Sequence, residues 1–276
     1  MPQPASQLPK SVADFARFLR LGPTGVPALV AHPDWATPAP VVLWMHGRTV
    51  SKELDPGRYA RWLRAGIAVC AIDLPGHGER ANPPRHEPVH TLAVIKQALG
   101  ELDGVVGALG VSDFRGAFDL GRVGIGGMSM GGMITLRRLC EPHRFVCAAV
   151  EATSGNLRDL YFPPKADKAE PWPVDHDPAE VREIDPIEHI SGFEPLPLLV
   201  LHSEADQMVP WRVQARFVGR LREQFEARGR SASLVEVTTW PETGAPAEHV
   251  GFGRVGNEAK NLQTAFFERH LFGPER

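Results

Sequence analysis

Apolar residues along this chain fall into two alternating patterns. Short runs over residues 26–31, 41–45, 67–72, 122–125, 146–150, 198–201 and 234–239 carry their polar residues mainly at the ends. Strands covered on both faces read this way, so the runs predict a buried sheet. Between them, residues 56–65, 89–109, 130–139, 211–227 and 257–270 place apolar side chains three and four apart, the helical period. Strand and helix in turn predict an α/β fold, with a mostly parallel central sheet and helices on both faces. No repeat at a fixed period interrupts the series.

Two stretches depart from the rhythm. Residues 8–21 read as a helix outside the sheet, within an N-terminal helical extension over 1–24. Residues 154–194 are rich in proline and charge, with scattered aromatics (Tyr161, Phe162, Trp172) and no long periodic run. A loop of that length inside a domain is usually functional, so 154–194 is expected to be a lid insertion on a single domain over 1–276. Its Phe162 and Trp172 are candidate substrate contacts.

Charge then removes whole classes of function. Thirty basic against 33 acidic residues give a net charge of −3, with no basic excess to displace counterions from nucleic acid or coat an anionic membrane. No apolar run reaches the roughly 18 residues that span a bilayer. The start, MPQPASQLPK, lacks a basic segment followed by an apolar one, and three cysteines make no CxxC pair. A cytoplasmic location is the expectation. Nothing in the residues speaks to oligomeric state.

The sharpest chemical signal is Gly127-Met128-Ser129-Met130-Gly131, after a predicted strand and before a predicted helix. That is the context of the G-x-S-x-G nucleophile elbow. A dinucleotide fingerprint fails, because Ser129 stands three residues after Gly126. A serine hydroxyl needs a general base and a carboxylate to orient it, and in such sheets the order is serine, acid, histidine. Asp206 follows the strand at 198–201, with Glu204 the lesser candidate; His249 follows the strand at 234–239. Of the eleven histidines, only His249 and His270 come after Asp206, and His270 ends a helix. The oxyanion donors are expected to be the backbone N–H groups of Met130 and of Arg48, in the loop His46-Gly47-Arg48. His46, Gly47 and Met128 are candidate substrate contacts; the Arg48 side chain is expected in solvent rather than against an anionic substrate group.

These features together resemble the α/β-hydrolase superfamily. The resemblance runs from about residue 26 to 270 and rests on His46-Gly47, on Asp73-Leu74-Pro75-Gly76-His77-Gly78, on the elbow, and on Asp206 and His249. Around Trp44 to Glu53 the chain is similar to small bacterial carboxylesterases of the dienelactone-hydrolase and prolyl-oligopeptidase-like group. Dienelactone hydrolases carry cysteine at the elbow and the dehalogenases aspartate, so Ser129 turns the expectation to serine ester hydrolysis through an acyl-enzyme. The expected partner is a small-molecule ester, with no metal or organic cofactor. Thioesterase or aminopeptidase-like action on the same residues, and a silent binding protein of the same fold, are the alternatives. His86-Glu87-Pro88-Val89-His90 spells a zinc-protease string, but Pro88 prevents one helix from presenting both histidines. The Asp73 segment reads as architecture.

Overall fold

Runs too short for helices and apolar on both faces can be buried only as interior strands. The computed structural model describes residues 8–111, 114, 116–167 and 172–273. Its eight-stranded sheet is ordered β1-β2-β4-β3-β5-β6-β7-β8. The strands are β1 (Ala16–Leu21), β2 (Val26–Ala31), β3 (Ala39–Met45), β4 (Ala68–Ile72), β5 (Phe118–Met128), β6 (Phe145–Glu151), β7 (Leu198–Ser203) and β8 (Val235–Trp240). The run from β4 to β8 is parallel; β1 and β2 are antiparallel to their neighbours. The helices are α1 (Lys10–Ala13), α2 (Pro56–Arg64), α3 (Thr91–Ala108), α4 (Met130–Arg138), α5 (Leu157–Tyr161), α6 (Pro178–Ile184), α7 (Trp211–Ala227) and α8 (Gly256–Leu271). Two buried clusters lie on opposite faces of the sheet. One gathers Val41, Leu43, Ile125, Ile134 and Phe217, the other Val42, Trp44, Trp62, Phe266 and Phe267. Alternate residues of β3 thus serve different cores, which is why its sequence is apolar throughout.

The N-terminal expectation fails. Among the described residues of the expected extension only Lys10–Ala13 is helical, and Ala16–Leu21 supplies β1, hydrogen-bonded along β2. The physical reason is pairing: β2 is buried along its whole length, and without β1 its outer row of backbone groups would have no partner. A short edge strand with an exposed Phe18, preceded by an exposed Phe15, carries too weak an alternation to be told from one helical face. Residues 1–7 of the expected extension lie outside the described residues.

Polar groups in the core tie the sheet's functional edge together. Arg58 of α2 and Glu151, the last residue of β6, are buried and form a bidentate pair at 2.6 and 2.8 Å. Gln263 of α8 donates to the same carboxylate at 2.9 Å and accepts from Arg58. Below β3, Asp73 accepts from the Lys52 N–H, the Lys52 ammonium and the Glu79 N–H, each at 2.9 Å, a purely internal use of the Asp73 segment.

His46 corrects another expectation. It is buried at the end of β3, donates from Nδ1 to the Gly47 carbonyl at 2.6 Å and accepts the Leu74 N–H on Nε2 at 3.1 Å. Both ring nitrogens are spent on backbone, so it is a strut between two loops and not a substrate contact. Burial pushes its pKa down to about 3.

Two measurements follow. Glu151→Ala, which strips buried Arg58 of its bidentate partner and leaves it the contact to Asp55 at 3.2 Å, is expected to cost about 3 kcal/mol in chemical denaturation, and a paired Arg58→Met, Glu151→Leu replacement distinctly less. Equal losses would show that the pair is not what matters there. For His46 the unfolded ring takes up a proton below about pH 6.5 while the folded ring does not, so its stabilisation is complete above 6.5 and is lost progressively toward pH 3. The stability gap between the wild type and His46→Asn is therefore expected to shrink with acid across that window; a constant gap would refute the linkage.

Candidate active site

The chain must reverse sharply between β5 and α4, and Ser129 makes the turn at φ 52° and ψ −118°, a conformation that side chains rarely adopt. Its N–H donates to the Glu151 carbonyl at 2.9 Å. Its own carbonyl accepts from the Met133 N–H at 3.0 Å and the Thr153 hydroxyl at 2.7 Å. Glycine is obligatory on both sides of it. A Cβ at Gly131 would stand 2.3 Å from the Met45 carbonyl oxygen, and one at Gly127 would stand 2.4 Å from the Gly131 carbonyl carbon. Removing those side chains lets the elbow pack directly on the end of β3.

Parallel strands bring the partners to the same edge. The register aligns Met128 with Glu151, Glu151 with Leu201, and Leu201 with Thr238, so the loops after β5, β7 and β8 open side by side. Asp206 follows β7, its Oδ1 accepting the N–H groups of Met208 and Val209, both at 2.8 Å. Its Oδ2 lies 2.8 Å from His249 Nδ1, and His249 Nε2 lies 2.9 Å from Ser129 Oγ. Because an ionised Asp206 can only accept, Nδ1 carries the proton, and Nε2 is left as the acceptor for the serine O–H. Glu204, the lesser candidate, instead accepts from Thr239 at 2.7 Å. His202 packs 3.6 Å from Asp206 Oδ2, with its pKa lowered chiefly by burial.

Sequence reasoning missed Glu248. Its carboxylate accepts the Ser203 hydroxyl at 2.8 Å, the Thr243 N–H at 2.6 Å, the Thr243 hydroxyl at 2.8 Å and the Gly244 N–H at 2.7 Å. The Thr243 N–H leads in holding its pKa down near 2. Ala247 (φ 51°) and Glu248 (φ 53°) are both left-handed, so this carboxylate locks a strained turn that delivers His249. No local motif announces it, since the partners come from two separate segments.

Ser129 opens into a cavity of about 280 Å³. Gly47, Arg48, Met128, Met130 and Trp172, all named from the sequence, line it, and so do Tyr161, Met133 and Met208. Phe162 does not: at the C-cap of α5 it points outward, 36% exposed, while its neighbour Tyr161 turns in and meets Trp172 edge-on at 5.0 Å. The Arg48 side chain also departs from expectation. It is half-buried, and its Nη1 is fully buried without a hydrogen-bond partner among the described residues. A Cβ on Gly47 would stand 3.4 Å from that of Ser129, so the loop after β3 runs against the serine. Met130, the first residue of α4, has an N–H outside the helix's own ladder. Among the described residues no group of three His, Cys, Asp or Glu side chains is placed to hold a metal ion. His86 and His90 lie on separate short turns, His86 bonded to the Gly76 carbonyl at 2.9 Å. No helix among the described residues is long and apolar enough to cross a membrane.

Comparison with known proteins converges on the same region. The esterase YjfP of Escherichia coli strain K12 is 26% identical over 254 residues, covering 89% of this chain and 96% of the relative. Among solved structures, TT1662 from Thermus thermophilus superposes with a TM-score of 0.71 at 22% identity, covering 94% of this chain and 98% of that one. The acylaminoacyl peptidase of Pyrococcus horikoshii gives 0.71 at 16% identity, over 95% of this chain but 42% of the peptidase. These structural likenesses establish the α/β-hydrolase fold, and the model of the prolyl oligopeptidase family matches residues 101–273, which include Ser129, Asp206 and His249. With more than half of its length so matched, the chain belongs to the prolyl oligopeptidase family, the serine hydrolases of esterase and peptidase type.

Proposed function

We propose that this protein is a serine carboxylesterase acting on small to medium esters. The observation that carries the reading is the unbroken chain from Ser129 Oγ to His249 Nε2 at 2.9 Å and from His249 Nδ1 to Asp206 Oδ2 at 2.8 Å. Ser129 attacks the ester carbonyl while His249 accepts its proton. Asp206 holds the imidazole in the required tautomer and stabilises the imidazolium. The N–H groups of Met130 and Arg48 receive the oxyanion, assisted by the positive end of α4. His249 then protonates the departing alcohol, and a water activated by the same ring hydrolyses the acyl-enzyme.

The peptidase likeness keeps amide cleavage as a second reading. Against an aminopeptidase, the carboxylates around the site are committed: Asp206 to His249 and two N–H groups, Asp159 to Arg216 at 2.9 Å. Neither is free to take a substrate ammonium. Residues 154–167 and 172–194 form the cover in this reading; residues 168–171 of the expected insertion lie outside the described residues. Asp185 staples it by accepting the Leu157 and Arg158 N–H groups at 2.8 and 2.7 Å, and Tyr161 and Trp172 give it an apolar underside.

Ser129→Ala is expected to lower kcat for 4-nitrophenyl butyrate by roughly 10³-fold or more, leaving only the rate that binding and the oxyanion donors supply. Activity unchanged in that variant would refute the assignment. Oxygen esters should outrun matched thioesters and aminoacyl amides in kcat/KM, and a faster amide would favour the peptidase reading. A cavity of about 280 Å³ holds short acyl groups better than long ones, so kcat/KM should fall from butyryl to palmitoyl esters; a rising series would contradict it.

A further inference from the structure

Several arginine heads in this molecule that are withdrawn from solvent find carboxylates, and others such as Arg61 and Arg85 find side-chain amide oxygens. Arg58 pairs with Glu151, Arg80 with Glu101, Arg138 with Asp103, and Arg216 with Asp159 and Asp167. Arg48 does not, although its Nη1 is buried. Withdrawing a guanidinium N–H from water without an acceptor is costly, and proteins rarely leave such a donor unmet without a use for it.

Its position supplies the use. Arg48 lines the cavity that holds Ser129 and also a second cavity of about 470 Å³, walled by Leu160, Pro163, Pro173 and Pro210. Trp172 and Met208 are shared between the two, so Arg48 stands with them where the chambers adjoin. The other charges of the second chamber cancel locally. Asp159 is held by Arg216, and Arg212 donates to Asp167 at 3.1 Å. Asp206 is fully buried, with both oxygens taken by N–H donors. What remains among the described residues is one cation, framed by apolar and aromatic surface and adjacent in sequence to the glycine packed on Ser129.

We propose that Arg48 recognises a carboxylate carried by the substrate, so that the preferred substrates are esters bearing a free acid rather than neutral esters. This rests on the esterase reading and narrows it. The planar guanidinium matches a carboxylate through two parallel N–H donors, and the burial of Nη1 strengthens the pair by withdrawing that donor from water. The acid can sit on either side of the scissile bond, because the chamber shared with Arg48 extends beyond the one that holds Ser129.

The test uses two acid and methyl-ester pairs. 4-Nitrophenyl hemiglutarate against its methyl ester places the charge on the acyl side; 4-butyryloxybenzoate against its methyl ester places it on the alcohol side. The wild type is expected to favour the acid in at least one pair by about tenfold or more in kcat/KM, the scale of one charge-assisted contact. Arg48→Met should bring that ratio to about one, through KM and kcat together, whereas Arg48→Lys, which keeps the charge, should retain part of it. Binding of glutarate to the Ser129→Ala protein, followed by calorimetry, should weaken at least tenfold on adding Arg48→Met. Ser129-dependent hydrolysis of the methyl esters with no preference for either acid, or a preference that survives Arg48→Met, overturns this inference and leaves the esterase standing. Hydrolysis of none of the four overturns both together.

Discussion

Ser129 is held at φ 52° with ψ −118°, and a side-chain-bearing residue in such a conformation costs about 1–3 kcal/mol. The surroundings are what make this conformation the stable one. The serine's N–H is fixed on the end of β6, its carbonyl on α4 and Thr153, and the glycines beside it let the end of β3 close to van der Waals distance. The Arg58–Glu151 pair then matters for more than stability, because Glu151 supplies both the carboxylate that anchors α2 and α8 and the carbonyl that receives the serine N–H. A buried ion pair between well-packed apolar surfaces is not in itself a strong source of stability. Here it defines where one backbone carbonyl stands.

The second constraint is topological. Parallel strands deliver every loop that follows them to one edge, so residues far apart in sequence meet there without long excursions of chain. Alignment of the strand ends does not by itself orient an imidazole, and that finer adjustment falls to short-range devices. Asp206 is clamped by two N–H groups of its own loop, and His249 is presented by a left-handed turn that Glu248 braces from within. Both carboxylates are satisfied by fixed donors, so neither needs to reorganise when charge develops nearby.

The sequence made legible what depends on local pattern. The strands of the central sheet and the long helices were readable from periodicity, and the positions of Ser129, Asp206 and His249 relative to them from the order of strand ends. What escaped depends on contacts between distant segments. The edge strand β1 needs β2 beside it to be recognised, and six residues of mixed burial resemble part of a helix. His46 stands next to the oxyanion loop in sequence, yet its ring turns away into the core, and nothing in the string His46-Gly47 says which way it points. Phe162 is the contact the sequence suggests, but the end of α5 sets it outward and turns its neighbour Tyr161 into the cavity, and nothing in the adjacent pair says which of the two faces in. The Glu248 turn and the Arg58–Glu151–Gln263 cluster join residues from separate elements, and single-sequence reasoning has no access to such pairs.

Arg48 shows how one residue can constrain two properties at once. Its backbone follows Gly47 against the nucleophile, where the proposed reading uses the N–H as an oxyanion donor, while its side chain reaches the boundary between the two chambers. A substrate group drawn to the guanidinium would therefore pull on the same loop that must hold the N–H in place, and its binding energy would be felt at the reacting carbonyl through a single peptide unit. Contacts remote from the chemistry contribute to rate when they position or restrain the groups that act in the transition state. A loop that carries both donor and anchor gives selectivity a direct mechanical route into catalysis.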